Sequence, residues 1–180
     1  MSSALVVIDL QKDLCYNPVR RAKVEAMVPN LLKAIDIFTS RNLPIYYVYF
    51  ALQPDDEQFA RFGETYCLEG SEGAEFIPEV LPLRGQAIKK RKHSAFFETE
   101  LDDLLHSRQV STLYLTGLQT QICIMTTAAD ASFRGYTAKI IEECVVSTRD
   151  ISKQQALDWI AKYVGEVIHL SQLEKDLFHE

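Results

Sequence analysis

Short, continuous runs of apolar and often β-branched residues recur along the chain, each followed by an amphipathic stretch, and this alternation constrains the fold most. Residues 4–8 (Ala-Leu-Val-Val-Ile) are apolar without interruption and stop at Asp9, the pattern of a strand covered on both faces. Comparable runs occupy 44–50, 112–117 and 137–142, with weaker ones near 86–89 and 166–169. Between them the spacing of apolar residues predicts helices at about 28–41, 99–107, 122–134, 151–163 and 171–178. Strand and helix then alternate almost throughout, which predicts an α/β fold of three layers, α/β/α, around a mainly parallel sheet of about six strands. The 180 residues fit one domain spanning 1–180. One long irregular stretch, 51–83, is rich in Asp, Glu, Gly and Pro; a loop of that kind is often functional, as a lid or as an assembly contact.

Composition narrows the partners. Hydrophobic residues make up 47% and charged residues 24%, ordinary for a globular protein. A net charge of -6 argues against nucleic acid, because affinity for the phosphate backbone comes from clustered cations. A small-molecule partner is expected instead. No run approaches the roughly 20 apolar residues needed to span a bilayer, and the N-terminal Met-Ser-Ser-Ala-Leu-Val-Val-Ile lacks the basic flank and cleavage site of a signal peptide. No membrane association and a cytoplasmic location are therefore expected. Cys15, Cys67, Cys123 and Cys144 show neither C-x-x-C nor C-x-x-H spacing, so free thiols are expected rather than disulfides or structural zinc.

In open parallel sheets, ligands bind outside the carboxyl ends of the strands. Three reactive side chains fall there: Asp9 closes the first strand, Lys90 follows the strand near 86–89, and Cys123 begins the helix after 112–117. The segment Thr116-Gly117-Leu118-Gln119-Thr120-Gln121-Ile122-Cys123 reads as strand, tight turn and helix start. Thr120 would be its N-cap and Cys123 its third residue. A helix N-terminus lowers a thiol pKa and can hold an oxyanion. Each residue also has a purely structural explanation: Cys123 as a small buried hydrophobe, Asp9 as a partner for loop N–H groups, and Lys89-Lys90-Arg91-Lys92 as a solvated charge run. At most one member of that run is expected to point inward.

The surrounding motifs weigh towards chemistry. Val7-Ile8-Asp9-Leu10-Gln11-Lys12-Asp13-Leu14 is similar to the V-x-D-x-Q-x-D-F opening of isochorismatase-like hydrolases. Lys90-Arg91-Lys92-His93-Ser94-Ala95-Phe96-Phe97-Glu98-Thr99-Glu100-Leu101 resembles their K-x-x-Y-S-A-F-x-x-T-x-L motif. Leu115 to Cys123, followed by Thr127-Ala128-Ala129-Asp130-Ala131 and Gly135-Tyr136, resembles their nucleophile segment. The three occur in the family's order and cover nearly the whole chain.

This resemblance implies that Cys123 is a nucleophile, Asp9 the base and Lys90 the cation beside them, cleaving an amide, ureido or related C–N bond through a thioester. It also implies a cis peptide at Leu118-Gln119, an oxyanion site formed by the Gln119 and Cys123 N–H groups, and a homodimer or homotetramer. Gln11, Leu14, His93 and Phe96 are the candidates for the substrate pocket. His93 replaces the family's usual aromatic and Leu14 its usual Phe, so the pocket shape is expected to differ. Nicotinamidases of the superfamily place a D-x-H metal pair after the second strand and another His before a G-T-x-G-A-E-like stretch. Here those regions read Phe50-Ala51-Leu52-Gln53-Pro54-Asp55 and Gly70-Ser71-Glu72-Gly73-Ala74-Glu75, without histidine, so neither metal nor cofactor is expected. Two rivals remain. Isochorismatase-type vinyl-ether hydrolysis needs an acid but no thiol, and enzymes of that type generally lack this cysteine; the other is a non-catalytic binding or redox-sensing protein of the same fold.

Overall fold

The apolar runs form six strands in a computed structural model that describes residues 2–57 and 66–178. They are β1 (Ser2–Ile8), β2 (Ile45–Phe50), β3 (Gln86–Lys90), β4 (Val110–Leu118), β5 (Thr137–Val146) and β6 (Gly165–Ile168). Every neighbouring pair is parallel, in the order β3-β2-β1-β4-β5-β6. The helices are α1 (Lys12–Cys15), α2 (Arg21–Ser40), α3 (Leu101–Ser107), α4 (Met125–Phe133), α5 (Asp150–Tyr163) and α6 (Leu173–Phe178).

The two-residue period of β1 shows why three layers form. Ala4, Val6 and Ile8 join one apolar cluster with Leu101, Leu105, Ile124, Ala128, Leu157 and Ile160 from α3, the turn before α4, α4 and α5. Leu5 and Val7 join the other with Val24, Leu31, Ile35 and Phe38 of α2 and Leu173 of α6. Winding runs one way from β1 to β3 and the other way from β4 to β6, so right-handed crossovers put their helices on opposite faces. The reversal lies between β1 and β4, where a crevice opens at the carboxyl ends of the strands.

Some boundaries differ from the sequence pattern. The helix expected from about residue 28 begins at Arg21 and carries Pro29 inside it. Pro29 faces solvent, where water can satisfy the carbonyl left without its donor. Strand β5 runs to Val146 rather than 142, because the register shifts between Leu115–Ile140 and Gly117–Val145. The stretch 51–83 packs Phe76, Ile77, Val80 and Leu83 against the α2 face; its residues 58–65 lie outside the described residues. No helix among the described residues is long and apolar enough to cross a membrane.

Candidate active site

Asp9, Lys90 and Cys123 meet at the reversal point. Asp9 follows β1 with φ of 60°, a left-handed conformation that Asp tolerates better than most residues. Its N–H is bonded to Val48 O at 2.9 Å. Beside it, Gly117 has φ of 109°, and a Cβ there would stand 2.0 Å from Ile8 O. Glycine therefore lets β4 close on β1 where the two reactive ends meet.

Cys123 comes from a π-helical turn, Thr120–Ile124, that leads into α4. The expected Thr120 cap is not found. Gln119 has the extended cap backbone (φ −90°, ψ 142°), and its carbonyl accepts from Ile122 N at 3.0 Å and Ile124 N at 3.2 Å. Thr120 is inside the turn with a buried, unpartnered hydroxyl, which makes Cys123 the fourth residue rather than the third. The Leu118-Gln119 peptide is cis.

Within the basic run, strand alternation selects the inward member: Ile88 and Lys90 are buried and Lys89 is exposed. Lys89 pairs with Glu69 at the surface, and the exposed Arg91 with the buried Asp56. Lys90 passes over the Phe50 ring, Nζ 3.6 Å from its centroid, a contact that favours a cation. Nζ then donates to Asp9 Oδ2 at 2.9 Å, to His93 O at 3.2 Å and to Cys123 Sγ at 3.4 Å. Those are the three donors an ammonium has. Asp9 and Lys90 are each 1% exposed and Cys123 4%, and Asp9 Oδ1 is buried without a hydrogen-bond partner.

Burial pushes the Asp9 carboxyl above its ordinary value, while the charge of Lys90 and the hydrogen bonds from Cys123 and Lys90 pull back. Burial also pushes the Cys123 thiol up, helped by the charge of Asp9 and opposed by Lys90. This corrects the expectation that the helix terminus lowers the thiol: removal from water outweighs the local dipole and cation. The other thiols are raised too, Cys15 and Cys144 to about 12, so acidity does not single out Cys123. Access does, since Cys15, Cys67 and Cys144 are 0% exposed and Cys123 lines a cavity of about 390 Å³.

Asp9 and Cys123 share that cavity with the pocket candidates Leu14 and His93, with Leu118 and Gln119 of the cis peptide, and with Asp13, Asn17, Arg20, Phe50, Tyr66 and Ile122, which sequence reasoning missed. Its size suits a small molecule. Of the missed residues, Asp13 had a signal, its place in the first motif; the others had none.

Two pocket candidates are corrected. Gln11 is fully buried, and its amide is used on backbone: Nε2 donates to Phe50 O at 2.7 Å and Ala74 O at 2.8 Å, while Oε1 accepts from Phe50 N at 2.9 Å. Phe96 is 3% exposed and stacks on Tyr136, centroids 5.7 Å apart. Neither lines the cavity.

The motifs explain how the site is held. Ser94 Oγ donates to Asp130 Oδ2 at 2.5 Å, and Ala95 N to Thr127 Oγ1 at 3.0 Å, fastening the Lys90 loop to the helix behind Cys123. Asp13 Oδ2 accepts from Cys67 N at 2.8 Å, and a Cβ on Gly73 would stand 2.1 Å from that carboxylate. The Gly-Ser-x-Gly-Ala-Glu stretch thus packs against α1 as a brace.

The side chains near the cavity do not supply the histidine-bearing donor set of the D-x-H pattern compared above. Leu52 is fully buried, and Gln53 Nε2 bonds Glu69. Asp56 is taken up by Gln53 N at 2.8 Å and Arg91 Nε at 3.1 Å. Among the described residues, no three His, Cys, Asp or Glu side chains are grouped to hold a metal ion. His93 is the described histidine at the cavity; His106 lies against Asp102 and His169 against Glu143.

These features define a doubly wound α/β protein with a buried Asp–Lys–Cys cluster at the sheet's reversal point. The family model described as Isochorismatase domain matches residues 3–172, and the chain belongs to that family. It is similar to an uncharacterized isochorismatase family protein, YwoC, of Bacillus subtilis, 31% identical over 91% of this chain and 88% of that one. It is 33% identical to maleamate amidohydrolase of Pseudomonas putida over 62% of this chain and 53% of the relative. The structure of N-carbamoylsarcosine amidase from Thermoplasma acidophilum superposes with a TM-score of 0.85 at 30% identity, covering 94% of this chain and 97% of that one. The family thus includes amidohydrolases.

Proposed function

We propose that this chain is a metal-independent cysteine hydrolase that cleaves an amide, ureido or related C–N bond of a small molecule through a thioester. The observation that carries the reading is a single buried ammonium, Lys90, donating to both the Asp9 carboxylate and the Cys123 sulfur. A carboxylate and a thiol beside one cation form a unit that carries one negative charge and can move one proton between its members. The names of relatives, maleamate amidohydrolase and N-carbamoylsarcosine amidase, support the bond class.

In this mechanism Asp9 takes the thiol proton as the substrate carbonyl enters, and the thiolate attacks the carbonyl carbon. The Gln119 and Cys123 N–H groups hold the resulting oxyanion, each such donor being worth about 3 kcal/mol. Asp9 then gives its proton to the nitrogen as the C–N bond breaks. Water, losing its proton to Asp9, attacks the thioester; the carboxylic acid leaves and the thiol re-forms. The high resting thiol pKa is compatible with this order, because the proton moves only when the carbonyl is in place. The test is a hydrolysis screen against a panel of small amides and ureides with Cys123→Ala and Asp9→Asn as controls. Turnover lost in both variants supports the reading, and substantial turnover in either contradicts it.

A further inference from the structure

His93 has no part in the mechanism above, yet its Nδ1 lies 3.7 Å from Cys123 Sγ. The ring is positioned from two sides. Its backbone carbonyl accepts from Lys90 Nζ at 3.2 Å, and the imidazole stands edge-on to Phe50, centroids 6.0 Å apart at 85°. Both His93 and Asp9 line the cavity, but His93 is half-buried whereas Asp9 is 1% exposed. The sulfur therefore has a buried carboxylate at one side and an imidazole on the cavity wall.

We propose that His93 is a second proton acceptor for the Cys123 thiol, acting from the cavity wall, while Asp9 acts from the buried side. The proposal rests on the reading of Cys123 as nucleophile. The step moves one proton: the S–H bond breaks, an Nδ1–H bond forms, and the electron pair stays on sulfur. The ring starts as the neutral tautomer with its proton on Nε2 and ends as imidazolium beside thiolate, so the site's net charge is unchanged. Charged and titratable groups facing His93 are Lys90 from the end of β3, Lys92 from its own loop, Cys123 from the π turn and Asp9 from the end of β1; Asp13, Arg20 and Tyr66 complete the wall. Burial first, then the charges of Lys90 and Lys92, holds the imidazole below its usual range. At neutral pH the ring is thus free to accept a proton, and it loses that capacity as pH falls through its depressed value.

The experiment is the rate of Cys123 alkylation by iodoacetamide against pH, followed by peptide mass spectrometry. It uses the parent, His93→Phe, His93→Gln, Asp9→Asn and the Asp9→Asn/His93→Phe double variant, with circular dichroism showing which are folded. Phe restores the aromatic usual in related proteins, and Gln keeps a polar side chain that takes up no proton. The expected result is that both single His93 variants lose an acidic limb of the profile and react about tenfold more slowly at neutral pH, the factor of one pKa unit. Asp9→Asn should keep that limb and the double variant lack it. Labelling of Cys123 with the parent's rate and profile in His93→Phe and His93→Gln would overturn this proposal alone. Absence of Cys123 labelling in the parent would overturn it together with the nucleophile assignment.

Discussion

Replacing Lys90 by Met keeps the side-chain length and removes the ammonium that touches both reactive groups. At an effective dielectric near 20, unit charges at the observed 2.9 Å (Asp9) and 3.4 Å (Cys123 Sγ) attract by about 6 and about 5 kcal/mol. The difference, about 1 kcal/mol, shows that Lys90 barely decides which atom carries the charge. It decides whether the pair carries one at all. Without it, Asp9 and Cys123 should both be protonated at neutral pH, the lost attraction amounting to roughly 4 pKa units as an upper bound. Cys123 alkylation at neutral pH should then fall by about a hundredfold or more and recover as pH rises. Stability should follow the same proton. Asp9 already sits above its ordinary value, and losing Lys90 raises it further. Such a group contributes stability below its unfolded pKa that is lost as pH rises through the folded one. The deficit of Lys90→Met in urea denaturation should therefore grow with pH. An alkylation rate equal to the parent's at neutral pH, or a slow rate without recovery at high pH, would refute the reasoning.

Three further outcomes are expected. Gln11→Ala removes an amide with three backbone bonds and should lower stability by about 3 kcal/mol, or the melting temperature by roughly 6–12 °C, in a thermal scan. Gly73→Ala drives a Cβ into the Asp13 carboxylate, and chemical denaturation should show a loss of about 1–3 kcal/mol. Dialysis against a strong chelator, with removal verified by elemental analysis, should leave the hydrolysis rate unchanged; a loss reversed by zinc, iron or manganese would contradict metal independence.

Sequence was most informative where a physical requirement leaves little choice of residue. A strand buried on both faces must be apolar throughout, so the runs at 4–8 and 112–117 could be read directly. The sheet order could not, because each crossover could place its strand on either side of β1. Pro29 concealed the first turns of α2, since proline is an ordinary first helical residue and only its exposure here lets the helix continue through it. Asp9, Lys90 and Cys123 were legible through motif context, and the contact of one ammonium with both other groups was not, because it depends on burial. Gln11 was misplaced because its partners lie 39 and 63 residues away. Asn17 and Arg20 reach the cavity from a turn whose polarity looks like any solvated loop.

The central claim is that substrate carbon becomes bonded to Cys123 sulfur, and intact-protein mass spectrometry on a rapidly quenched reaction tests it most directly. With a substrate found by the screen, an adduct equal to the acyl fragment is expected, localised by peptide mapping to Cys123, released by hydroxylamine and absent from Cys123→Ala. Full turnover by Cys123→Ala, or an acyl adduct on another residue that persists in that variant, would contradict it.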